Sequence, residues 1–173
     1  MPYYDIVFEG CSADGNAARK LGFAKIGVIP EDISFVELER SGMKDRGCIV
    51  SGPSGSLISA AAGGVAGIYI PDYNIDKRLI RTMADNRTVL CISLSDPMRL
   101  YGLRRSRLLF KMGKLFSYAK KEKVPVSFIT MARSDSMMCS YMQIIEIAKL
   151  VGADEDYARE SVGVTNKALL VGR

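Results

Sequence analysis

The chain has 173 residues, with 24 Lys and Arg against 19 Asp and Glu, a formal net charge of +5, and 48% hydrophobic residues. That balance fits one soluble globular domain with a sizeable core. The complete lack of His excludes Ser-His-Asp and Cys-His catalysis, HExxH zinc sites and an imidazole base.

Short β-rich runs are expected over residues 4–8, 25–29, 48–50, 65–70, 88–92 and 124–130, each closed by Gly, Pro, Ser or Asp. Helices are predicted between them. The first covers 12–21, with Ser12 as cap and Gly22 as stop. The second covers 31–41, entered through Pro30 and ended by Gly42. Others follow over 74–85, 97–122, 141–151 with Gly152 as stop, 154–162 and 166–171. Strands alternating with helices imply βαβ units and a parallel sheet. Six strands, or seven, either close as a barrel or stay open and doubly wound. An eight-stranded barrel takes about 250 residues, so a small or incomplete barrel fits better. The pattern is that of a single domain over residues 1–173, without repeats or linkers.

Cys11, Cys48, Cys91 and Cys139 form no CxxC unit and read as small buried hydrophobes in a reducing cytosol. No signal peptide is visible and no apolar run is long enough for a membrane span, so a cytoplasmic location is expected.

The charge is concentrated. Residues 99–123 hold nine bases and one acid, a net +8, which leaves −3 for the rest of the chain. Within the predicted 97–122 helix, Leu108, Leu109, Met112, Leu115, Phe116 and Ala119 recur at three and four residues and form one apolar face. Arg104, Arg107, Lys111, Lys114 and Lys121 form a second stripe, with Tyr118 in the same row and Arg105 beside it. At 1.5 Å per residue the ridge is roughly 25 Å long. Carboxylates that would compensate at i+4 are missing, so the ridge is either a solvated face or the footprint of a polyanion.

Other candidates are weaker. The segment 52–56 follows a strand but lacks the GxxxxGK[ST] spacing and reads as a turn rather than a phosphate loop. Glu9, Asp72, Ser93, Asp96 and Asp135 sit near strand C-terminal ends, where barrel active sites are built. Their carboxylates either hold Mg²⁺ or cap helices, and Asp96 before Pro97 reads as a cap. Met131, Met137, Met138 and Met142, with Cys139 and Tyr141, read as adaptable core or as a partner surface.

The run Leu103-Arg-Arg-Ser-Arg-Leu-Leu-Phe110, then Tyr118-Ala-Lys-Lys, Val124-Pro-Val-Ser127, Ile147-Ala-Lys-Leu-Val-Gly-Ala-Asp-Glu155 and Asn166-Lys-Ala-Leu-Leu170, resembles protein component 3 of archaeal ribonuclease P. This is the homologue of the eukaryotic thirty-kilodalton subunit. The resemblance follows element order over nearly the whole chain and is specific over about residues 99–170. The chain departs from the family at Ile129-Thr-Met-Ala-Arg133 and at Met138-Cys-Ser-Tyr-Met142. The resemblance implies an α/β, TIM-barrel-like parallel barrel of about seven strands surrounded by helices, related to the polymerase-and-histidinol-phosphatase superfamily but without its His-rich metal site.

It further implies an accessory role in 5′-leader removal from precursor tRNA. The chain would bind ribonuclease P RNA through Arg104, Arg105, Arg107, Lys111, Lys114 and Lys121 and pair with protein component 2 among other holoenzyme proteins. It would meet precursor tRNA indirectly. No catalytic residue, metal or cofactor is expected in this chain, Mg²⁺ going with the RNA subunit. The competing expectations are a small barrel enzyme for a phosphorylated metabolite, using segment 52–56 with Asp72 or Asp96 as acid/base, and a protein-interaction module built on the Met-rich segment.

Overall fold

Residues 1–11, 13–29, 31–38 and 47–171 are described by a computed structural model. Parallel strands alternate with helices in the order β1 (Tyr4–Phe8), α1 (Gly15–Leu21), β2 (Lys25–Ile29), β3 (Ser34–Glu37), β4 (Cys48–Ser51), α2 (Ser54–Ala62), β5 (Gly67–Tyr69), α3 (Lys77–Asn86), β6 (Val89–Ser93), α4 (Ser95–Met98), α5 (Gly102–Lys121), β7 (Val126–Ile129), α6 (Tyr141–Leu150), α7 (Glu155–Glu160) and α8 (Asn166–Val171). A π-helical turn, Ser161–Thr165, joins α7 to α8.

β1 pairs with β2, Tyr4 opposite Lys25 and Phe8 opposite Ile29. The other five strands form one sheet in the order β3-β4-β5-β6-β7. Beyond its end the β7 strand reaches β1: Met131 N donates to Ile6 O at 2.8 Å and Phe8 N donates to Ala132 O at 2.8 Å. The strands therefore follow one another as β3-β4-β5-β6-β7-β1-β2. Among the described residues no ladder joins β2 to β3, so the wall is curved but open. This corrects the closed seven-stranded barrel that the family resemblance implies. The physical reason is the connection. Only residues 30–33 separate β2 from β3, whereas parallel neighbours need a crossover of a dozen or more residues.

Both faces of the wall are buried, which is why the strands read as apolar runs rather than as alternations. Val7, Val50, Ile68, Leu90, Ile92 and Phe128 face the helices, where Leu57, Leu79, Met83, Met112, Leu115 and Ile144 meet them. Ile6, Ile29, Ile49, Cys91 and Ile129 face the opposite side, which Leu169 of α8 helps to fill. Two glycines make room for that helix. A Cβ on Gly67 would lie 2.9 Å from Cys91 Sγ and 3.4 Å from Leu169, and one on Gly27 would overlap Leu170.

Several expectations change. The predicted helix over 31–41 is strand β3 where it is described, while its end at Ser41 and Gly42 lies outside the described residues, as does the Ser12 cap. Asp14 caps α1 instead, its carboxylate accepting from Asn16 N at 3.0 Å and Ala17 N at 2.7 Å. Gly22 stops α1 in the left-handed conformation at φ 84°. Segment 52–56 opens α2 rather than forming a separate turn. The long helix expected over 97–122 is two helices, α4 and α5. Cys48, Cys91 and Cys139 are buried, and none of the four cysteines is joined in a disulfide. Burial pushes the Cys91 thiol up to about 12 and the Cys139 thiol up to about 11, so both behave as apolar core.

Candidate nucleic-acid interface

α5 spans 20 residues, which at 1.5 Å per residue is about 30 Å. It starts without a side-chain cap. Arg105 joins the two helices instead: its Nε donates to Pro97 O at 3.0 Å and Leu100 O at 2.7 Å, so the first turn of α5 satisfies carbonyls at the end of α4 and in the link after it. Met112, Leu115, Phe116 and Ala119 bury the inner face, with Leu108 and Leu109 half-buried above them. Phe116 meets Phe128 at 5.5 Å and Tyr157 at 5.3 Å between ring centroids, which fixes the helix against β7 and α7.

The opposite face is where the predicted bases lie. Arg104, Arg107, Lys111, Lys114 and Lys121 are all exposed on the same helix, and Tyr118 is half-buried along it. Lys111 Nζ donates to Asn74 Oδ1 at 3.0 Å and to Asp72 O at 3.4 Å, both neutral acceptors. Lys114 Nζ sits 4.5 Å above the Phe110 ring. Among the described residues none of the six candidate bases is in an ion pair, whereas Lys120, on the flank, meets Asp154 at 2.8 Å. The first turn contains no acid, so Arg104 and Arg105 oppose the positive end of the helix dipole. Arg105 stands apart from the other five, because its Nε is occupied by main-chain carbonyls.

Two residues of the same face, together with Tyr101 just before the helix, escape the charge pattern. Leu103 is 65% exposed, Phe110 62% and Tyr101 79%. Their signal in the sequence is spacing: Leu103 and Phe110 are seven apart and off the Met112/Leu115 side, so they share the outer face with Arg107 and Lys114. Arg105 lies 5.5 Å from the centre of the Tyr101 ring.

The competing sites do not assemble. The Tyr69 and Tyr73 hydroxyls both donate to Asp96 Oδ2 at 2.6 Å, so Asp96 is a clamp between β5, its following loop and α4 rather than a helix cap. Burial, with Asp96 adding to it, raises both tyrosine hydroxyls above their ordinary range. Asp72 folds back on Asn74, accepting its backbone N–H at 3.2 Å on an exposed turn. A cleft of about 510 Å³ is lined by Glu9, Cys11, Asp14, Lys25, Glu31 and Asp32 among others, and neither Asp72 nor Asp96 reaches it. No group of three or more His, Cys, Asp or Glu residues placed to hold a metal ion occurs among the described residues. The methionines diverge as well: Met131 is buried, Met137 and Met138 are half-buried against the core, and Met142 is exposed.

No helix among the described residues is long and apolar enough to cross a membrane. No family model and no curated protein matches the chain. Among solved structures, it is similar to a chain of the cryo-EM structure of archaeal Ribonuclease P with mature tRNA, at 16% sequence identity and a TM-score of 0.72, over 98% of this chain and 81% of that one. At that identity the likeness is one of fold, and it extends over nearly the whole α/β wall and its helices.

Proposed function

We propose that this chain is a protein subunit of ribonuclease P, of the component 3 type, that binds the catalytic RNA in 5′-leader removal from precursor tRNA. The observation that carries the reading is the outer face of α5, a row of exposed bases in no ion pair among the described residues, on a fold shared with a chain of an archaeal ribonuclease P particle. In this role the chain is an accessory to a cytoplasmic endoribonuclease. Cleavage and the Mg²⁺ it needs belong to the RNA, component 2 is the protein partner, and this chain supplies positive charge and shape. Arg104, Arg107, Lys111, Lys114 and Lys121 neutralise phosphates, while Arg105 chiefly holds the start of the helix in place. Each phosphate contact releases condensed counterions, so affinity falls with salt at a log–log slope of order −0.7 to −0.9 per contact.

The test is a salt titration of binding to ribonuclease P RNA transcribed in vitro. The Lys111→Ala/Lys114→Ala double variant is expected to bind more weakly and to flatten the slope by roughly one to two units. The control, Lys20→Ala/Lys167→Ala, removes two exposed bases on α1 and α8 and is expected to leave the slope alone. Wild-type affinity and slope in the α5 variant, with both altered in the control, would make α5 a solvated face.

A further inference from the structure

We propose that the outer face of α5 between Leu103 and Lys114, with Tyr101 just before the helix, is a stacking platform for unpaired nucleotides, the Phe110 and Tyr101 rings taking bases and Arg107 and Lys114 taking the adjoining phosphates. The proposal rests on the RNA-binding reading of the same helix and narrows it from RNA in general to single-stranded or bulged RNA.

Phosphate neutralisation alone does not need rings, yet this face carries them. Phe110 and Tyr101 leave most of their surface in water, at 62% and 79% exposure, with Leu103 at 65% beside them. Each ring already has a cation close by, Lys114 Nζ at 4.5 Å from the centre of Phe110 and the Arg105 guanidinium at 5.5 Å from that of Tyr101. Such pairs hold a ring in one orientation while leaving its second face open. Alternating rings and bases along a track is the composition that binds single strands, where the charge follows the backbone and the rings take bases of any sequence. Tyr101 precedes the helix and Phe110 lies on its third turn, so each ring serves a different base.

Two alternatives fit less well. In paired RNA the bases are stacked on each other and the deep groove is closed to side chains, so exposed rings would find no partner. A protein partner would bury this patch at its centre, and protein interfaces are depleted of Lys there. Here two lysines and three arginines surround three apolar side chains, and no acid lies within Gly102–Lys121.

The chain contains no Trp, so Phe110→Trp creates a single reporter that keeps a stacking face. Its fluorescence is expected to be quenched by an unpaired RNA oligomer of about 10–15 nucleotides and to change little with an RNA duplex or an abasic strand of the same length. Phe110→Leu keeps the apolar bulk and removes the ring. It is expected to weaken binding of the unpaired oligomer roughly 5- to 100-fold with the salt slope unchanged. Both variants are expected to fold, because the site is exposed, and circular dichroism checks this.

Equal quenching by the abasic strand, or wild-type affinity in Phe110→Leu, overturns the proposal. So does a Phe110→Leu variant that keeps its RNA affinity but loses a protein partner in the reconstituted particle, which would make the patch a protein contact. If the Lys111/Lys114 double variant weakens binding and Phe110→Leu does not, only the stacking platform falls. If neither changes binding, the RNA reading of α5 falls with it.

Discussion

The seam between β1 and β7 and the outer face of α5 are both rich in polar groups, and they treat them in opposite ways. At the seam every group is buried and paired. Thr130 donates its N–H to Asp5 Oδ1 at 2.8 Å and its hydroxyl to Asp5 Oδ2 at 2.6 Å. Asn166 Nδ2 donates to Tyr4 O at 2.8 Å and Phe128 O at 2.9 Å, while its Oδ1 accepts from the Ser127 hydroxyl at 2.6 Å. Phe128 N donates to Ser161 Oγ at 2.9 Å. Ser161 and Asn166 are five residues apart, and the wider π turn between them brings both side chains to the same seam. On α5 the polar groups are exposed and like-charged. The first set joins strands 125 residues apart in sequence. The second lies at the surface, its six candidate bases in no ion pair among the described residues. Burial and pairing separate the polar groups that join the strands from those left at the surface.

The largest test of that contrast is Asn166→Ala. It leaves two main-chain carbonyls and the Ser127 hydroxyl short of a partner in a buried site, which costs about 3 kcal/mol. The melting temperature is expected to fall by roughly 6–12 °C for a chain of this size. An Asn166→Ala protein that melts with the wild type would mean that the seam is not what joins β1 to β7.

Next comes Asp5, whose carboxyl is pushed up to about 6 by burial, against the lowering effect of the Thr130 hydrogen bonds. Because the native state holds this proton more tightly than the unfolded chain, the contribution is complete below the ordinary value of 3.8 and is lost as pH rises through about 6. A gap of about two units corresponds to about 3 kcal/mol. Urea unfolding at a series of pH values should therefore show Asp5→Asn gaining on the wild type between pH 4 and 6. Parallel stability curves for the two proteins would show that the carboxyl does not titrate in the seam.

The smallest effect sharpens the boundary between the two regions. Arg105→Ala removes the bonds to Pro97 O and Leu100 O and is expected to lower the melting temperature by roughly 2–4 °C while leaving the RNA salt slope unchanged. A flattened slope with no loss of stability would move Arg105 into the RNA-contacting row.

Much of this was readable from the chain. Six of the strands are apolar runs bounded by turn residues. The basic stripe lies on the predicted side of its helix because Met112, Leu115, Phe116 and Ala119 leave no other side for it. β3 was hidden because Ile33, Phe35, Val36 and Leu38 fit a helical period as well as a strand over so few residues. Its partner decides: Ser34–Glu37 gains a full ladder against Cys48–Ser51. The break between α4 and α5 was hidden because it depends on Gly102 at φ 53° and on the Arg105 side chain reaching back, neither of which appears as a gap in the periodicity. The seam was visible only as isolated polar residues, Asp5 inside an apolar strand and Asn166 near the last helix. Their partners lie more than a hundred residues or several elements away. Phe110 and Leu103 were legible as apolar residues off the buried face, yet their exposure depends on no neighbouring helix covering them.

The position of Leu169 inside the strand wall also sets an order of events during synthesis. Ile6 and Ile29 emerge from the ribosome first, and the residue that helps to cover them is among the last of the described chain. At 5–20 residues per second, roughly 10–30 s separate the appearance of β1 from that of α8. For most of that interval the first strands lack the β7 edge that pairs with β1, and for all of it they lack the leucines of α8 that help to fill the inner face. Growth of the N-terminal portion can collapse it but cannot finish it. Filling of the inner face therefore waits for α8, which seats against strands made long before it.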